Sequence, residues 1–169
     1  MWRQWLLVVT SLVVADVLQV AVLARLGLPG ATPDLVLVTV VALALALGPL
    51  VGAVSGFVGG VLVALTPPFA GALGVNAVVY LVIGLLVARL VDRRDRTVPL
   101  TIAMVAGAVA VGTLAVAAID ALLGRPEVPR DGMFVILVST AIYAAILAPG
   151  VVPGIAWLAR KLEPVAKVS

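Results

Sequence analysis

The chain has 169 residues, of which 64% are hydrophobic and 11% charged, with a mean hydropathy of +1.30; soluble domains run to roughly 45–50% apolar and 25% charged residues, so this is the composition of an integral membrane protein. Cysteine and histidine are absent, which excludes disulfides, thiolate or imidazole metal sites, and Ser-His-Asp or Cys-His catalysis. The net charge of +3 does not point to nucleic acid, because the Lys and Arg residues sit at the ends of apolar runs, where they act as topology determinants.

The first apolar run, residues 5–24, begins too near the N-terminus and lacks the small-residue cleavage pattern of a removed signal peptide, so it is expected to stay as a span. Pro29 to Asp34 breaks it. A second run follows over residues 33–48, with Asp34 near an interface and an apolar centre of thirteen residues ending at Gly48-Pro49. Residues 50–66 carry a row of glycines and stop at Thr66-Pro67-Pro68. The fourth run covers 73–91 and leads into the charged turn Asp92-Arg93-Arg94-Asp95-Arg96. Residues 100–123 form a long fifth run, a polar loop spans 124–132, and residues 133–157 close the set. Pro149-Gly150 and Pro153-Gly154 are expected to kink or end that last span, leaving 155–162 near an interface.

At roughly 20 residues per crossing these runs consume nearly the whole chain. The expected fold is a single polytopic domain over 1–169, an all-α bundle of six transmembrane helices with both termini cytoplasmic. That topology puts Arg3, Arg93, Arg94, Arg96, Arg160, Lys161 and Lys167 inside and Arg25, Arg125 and Arg130 outside, in keeping with the positive-inside rule. A five-helix alternative fuses residues 35–65 and satisfies the charges equally. Its fused helix would measure about 46 Å, too long for a roughly 30 Å core, and Gly48-Pro49 stands near its middle as a natural turn.

Gly48, Gly52, Gly56 and Gly60 recur every four residues, and Ala64 continues the row. Membrane helices associate by close backbone approach, so small residues at this spacing make a helix-packing face. Its first use is packing within the bundle; docking of a partner or a second copy is the other. Polar residues in the spans carry two readings each. Asp16, near the middle of the first run, is either an ion or proton site or a hydrogen-bonded packing residue, and the packing reading is preferred because no intramembrane cation stands opposite. Pro33-Asp34 has the form of a helix start with an acidic cap. Asn76, in Gly74-Val75-Asn76, can bond a neighbouring helix or the broken backbone before it. Asp120, close to the end of its run, is expected at the interface, and the hydroxyls of Ser55, Thr101, Thr113, Ser139, Thr140 and Tyr143 are expected to bond backbone carbonyls. No catalytic set, metal site or cofactor site emerges.

The order Pro33-Asp34, apolar helix, Gly48-Pro49, the stretch from Gly52 to Gly60, Gly74-Val75-Asn76 and an apolar helix ending in Arg89 resembles the MreD family of bacterial rod shape-determining membrane proteins. The pattern covers residues 33–91; Ala64 stands where the family usually carries an acid, and Asn76 fits its Gly-Leu-Asn element. The resemblance implies a non-enzymatic scaffold of the cell-elongation machinery in the bacterial inner membrane. Its implied partners are MreC, with MreB, RodA and a class B penicillin-binding protein in the wider complex, apart from the surrounding lipid. The competing class is a small-solute carrier resembling the substrate-binding component of energy-coupling-factor vitamin transporters. Such a carrier needs a pocket lined with aromatic and polar groups, and this chain has eight aromatics and few intramembrane polar groups.

Overall fold

A computed structural model describes residues 2–22, 25, 33–66, 73–90, 97–124 and 132–162. The charged turn at 92–96, the loop at 125–131, Pro67-Pro68 and Lys167 lie outside the described residues. The described residues form six helices: α1 (Trp2–Ala21), α2 (Leu35–Leu47), α3 (Pro49–Leu65), α4 (Leu73–Leu90), α5 (Val98–Leu122) and α6 (Met133–Leu162). The described residues are therefore all-helical, as expected. By length and composition α1, α5 and α6 can each cross a membrane, whereas α2, α3 and α4 are shorter apolar helices.

Helix α2 is the axis around which the others are arranged, and it touches all five of them. Every residue from Leu35 to Leu45 is buried. A helix that is apolar on every face has no polar side to turn outward, and burial in the middle of the bundle is the arrangement that suits it. Gly48 turns the chain back into α3 with φ +101°, a conformation that disfavours any residue with a Cβ. Pro49 then opens α3 at its first turn, where the missing N–H is no loss. The hairpin expected at Gly48-Pro49 is thus present.

Several boundaries differ from the sequence reading. Helix α1 starts at Trp2 and ends at Ala21, a few residues ahead of the expected 5–24. Helix α5 starts at Val98 because the Thr97 side chain accepts the Leu100 N–H at 3.4 Å. Helix α6 does not end at its prolines and continues through Pro149 and Pro153 to Leu162. Each proline removes one donor from the helical ladder without ending the helix, a tolerance that helices in apolar surroundings share. Ala144, Ala148, Ile155 and Ala159 lie along one stripe of α6, all buried, so apolar packing continues across both prolines.

Candidate functional site

Two constellations stand out, and they occupy different parts of the bundle. The first is a seam between α3 and α4, the most extensive helix pair in the molecule. On α3 the faces of Gly52, Gly56 and Gly60 are turned to the α4 backbone. A Cβ at Gly52 would meet the Gly84 carbonyl and lie 2.7 Å from the Ala44 Cβ. At Gly56 it would meet the Tyr80 carbonyl and lie 2.8 Å from the Leu81 nitrogen; at Gly60, it would lie 2.6 Å from the Ala77 Cα. Gly84 is held as tightly by the Gly52 carbonyl. This is backbone-on-backbone contact of the kind small residues permit.

Gly48 stands apart from this seam, since a Cβ there would meet nothing within 4 Å, and its role is the turn. Ala64 is buried one turn beyond Gly60. Gly59, off the four-residue row, faces the other way and would bring a Cβ to 3.1 Å from Val36 and Val40 and 3.3 Å from Leu12. Helix α3 is therefore thinned on two sides, wedged between α4 and the α1–α2 pair.

The second constellation is a polar collar at the start of α2. The first N–H groups of a helix lack intrahelical partners, and inside an apolar bundle water cannot supply them. All are met here. The Leu35 N–H donates to the Pro33 carbonyl at 3.1 Å, Val36 N–H to Gln19 Oε1 at 3.2 Å, Leu37 N–H to Asp34 Oδ1 at 2.9 Å, and Val38 N–H to the Asp34 carbonyl at 3.2 Å. The Tyr80 hydroxyl, buried in α4, donates to Asp34 Oδ2. Asp34 thus caps α2 with one oxygen and holds α4 with the other. Nearby, Thr66 at the end of α3 lies 2.8 Å from the Leu62 carbonyl and 3.0 Å from Asp16 Oδ2, which ties α1 to α3.

Sequence reasoning does not single out Gln19. Its signal is its place three residues after Asp16 in an apolar run, on the face that carries Leu12 and Ala15 inward. Asn76 is buried where its backbone passes Gly60, and its amide makes no hydrogen bond among the described residues. Asp120, expected at the interface, lies two residues from the end of α5 and is buried on the stripe that includes Val105, Val109 and Gly112. The steps of four, three and eight residues between these positions keep them on one helical face. Gly74 lies exposed in the first turn of α4. Ser55, Thr101, Thr113, Ser139 and Thr140 each donate to a carbonyl of the preceding turn at 2.8–3.1 Å.

The groups in the collar are committed to one another and to helix ends, and no three potential metal ligands gather among the described residues. Chemically, the arrangement fixes helices in place; it does not present a nucleophile with a base. Comparison with curated proteins and with solved structures finds no match. A family model described as rod shape-determining protein MreD matches residues 2–162. With nearly the whole chain matched, from α1 to the end of α6, this membrane protein belongs to the MreD family.

Proposed function

We propose that the chain is a non-enzymatic scaffold of the bacterial cell-elongation machinery, crossing the cytoplasmic membrane six times and associating with an MreC-like partner in support of lateral peptidoglycan synthesis. The observation that carries this reading is the family match over residues 2–162. A bundle whose centre is a packed helix agrees with it: α2 fills with leucine and valine the place where a solute carrier would hold its ligand.

Six crossings are compatible with the short helices. At 1.5 Å per residue α2 measures about 20 Å, less than the roughly 30 Å hydrocarbon core. A helix buried among its neighbours from Leu35 to Leu45 has no lipid-facing side whose length must match that thickness. Charge supports cytoplasmic termini. Arg3, Arg89, Arg160 and Lys161 sit at one end of the bundle, while Asp34 and Asp120 belong to the other, with Arg25 the one described cation there.

The test is co-purification of the full-length tagged chain from native membranes with an MreC-like protein, together with rescue of rod shape in cells lacking their own copy. Retention of the partner and restored shape are expected. Normal abundance in the membrane with neither partner nor rescue would refute the scaffold, and co-purification with a transporter ATPase would favour the carrier.

A further inference from the structure

A groove of about 350 Å³ runs along the first turns of α1 beside α6. Its floor is the stripe Arg3, Leu6, Leu7, Thr10 and Ser11, and Leu158 of α6 forms the opposite wall. The spacing of three and four residues makes this one continuous helical face about 12 Å long. The trough is apolar along most of its length and has a cation at its mouth.

Arg3 has no ion-pair partner among the described residues, and the described carboxylates are remote from it. Asp16 is bonded to the far end of α3, Asp34 caps the far end of α2, and Asp120 closes α5. One turn beyond Leu158, Lys161 adds a second positive charge, its Nζ 3.8 Å from the centre of the Trp157 ring. Trp2, Trp5 and Trp157 are all exposed around this end, at 72%, 37% and 50%. Exposed tryptophans mark the level of lipid headgroups, so Arg3 stands at that level and the trough descends from it toward the bilayer centre.

Thr10 and Ser11 add a third feature. The hydroxyls of Ser55, Thr113, Ser139 and Thr140 are bonded to carbonyls of their own helices, whereas those of Thr10 and Ser11 make no hydrogen bond among the described residues. In an apolar medium an unused donor favours any acceptor brought to it. Charge and lining select the occupant: Arg3 and Lys161 call for an anionic headgroup, and Leu6, Leu7 and Leu158 for an apolar tail.

We propose that this groove binds one anionic glycerophospholipid, with its phosphate on Arg3, an ester carbonyl within reach of Thr10 or Ser11, and an acyl chain between Leu6 and Leu7 of α1 and Leu158 of α6. This goes beyond the scaffold reading and does not depend on it.

The test uses the full-length protein in detergent, titrated with phosphatidylglycerol or phosphatidylcholine, with bound lipids counted by native mass spectrometry. The expected result is one phosphatidylglycerol held about fivefold more tightly than phosphatidylcholine, the effect of one basic contact near a bilayer surface. Arg3→Gln should abolish that preference and Arg3→Lys should retain it. Leu6→Trp should fill the trough and remove the bound lipid. Arg89→Gln, on a helix that does not touch α1, should change nothing. Thermal midpoints in phosphatidylcholine micelles confirm that each variant is folded. Equal binding of the two lipids, a preference that survives Arg3→Gln, or a lipid that stays bound in Leu6→Trp would overturn the proposal. So would a dimer in the lipid-free protein that Leu6→Trp dissolves, since the groove would then belong to a second copy.

Discussion

Helices α2, α3 and α4 on one side and α5 and α6 on the other are made from nearly the same residue types, yet they pack in opposite ways. Every position from Leu35 to Leu45 of α2 is buried, whereas only 17% of the spanning window of α5, and the same share of α6, lies inside the protein. Hydropathy does not separate them, because a lipid-facing surface and a protein core are equally apolar. What separates them is where backbone meets backbone. The α3–α4 seam brings Gly52 onto Gly84 and Gly56 onto Tyr80, while a Cβ added at Gly107 of α5 or Gly150 of α6 would meet nothing within 4 Å. A glycine's meaning in a membrane helix is set by its partner, not by its frequency.

The contrast is most sharply broken at Gly56. Gly56→Ala should force α3 from α4 and lower stability by about 3 kcal/mol or more, read as a fall in the thermal midpoint of the purified protein, while Gly107→Ala should leave that midpoint unchanged or slightly raised. Equal midpoints for the two variants would mean that the seam is no tighter than the outer helices. Next in size is Asp34→Ala, which removes the α2 cap and the acceptor of the Tyr80 hydroxyl together, for about 2 kcal/mol. Tyr80→Phe in the same background should then add little, and a full second increment would show that the two groups act independently.

Gln19→Leu should cost about 1–2 kcal/mol, because it strands the Val36 N–H inside the bundle. Protection of that amide from hydrogen exchange should fall with it, and unchanged protection would show that another acceptor serves the group. Smallest of all is Asp16→Asn. Its amide oxygen still accepts from the Thr66 hydroxyl, so stability should shift by no more than about 0.5 kcal/mol. Loss of rod shape at normal protein abundance in this variant would instead assign Asp16 an ion-linked role.

How far the fold is legible in the sequence follows from the same physics. The apolar runs locate six helices, and Gly48-Pro49 locates the hairpin, because a positive φ and a proline at a first helical turn leave direct marks in sequence. The prolines of α6 do not show in sequence whether they kink the helix or end it; proline ends helices mainly where water can take over the freed carbonyls, and here neighbouring helices pack across them. Half of the seam is readable. The row on α3 announces itself by repetition, but Gly84 is a single glycine in α4 and acquires significance only from Gly52 across from it. Gln19 escapes for a related reason. A lone polar residue in an apolar run reveals its depth only after the helix's rotation is known, and with apolar residues on every side the pattern does not fix that rotation.

The reciprocity of Gly52 and Gly84 bears on how this sequence can change. Where a large residue meets a small one across an interface, bulk added on one side can be offset by bulk removed on the other, and paired substitutions can drift while the contact survives. Here both partners are already the smallest residue, so neither can yield. A suppressor of a substitution at either position must come from elsewhere, by re-angling α3 against α4, and the two sites should behave genetically as a lock without a second key.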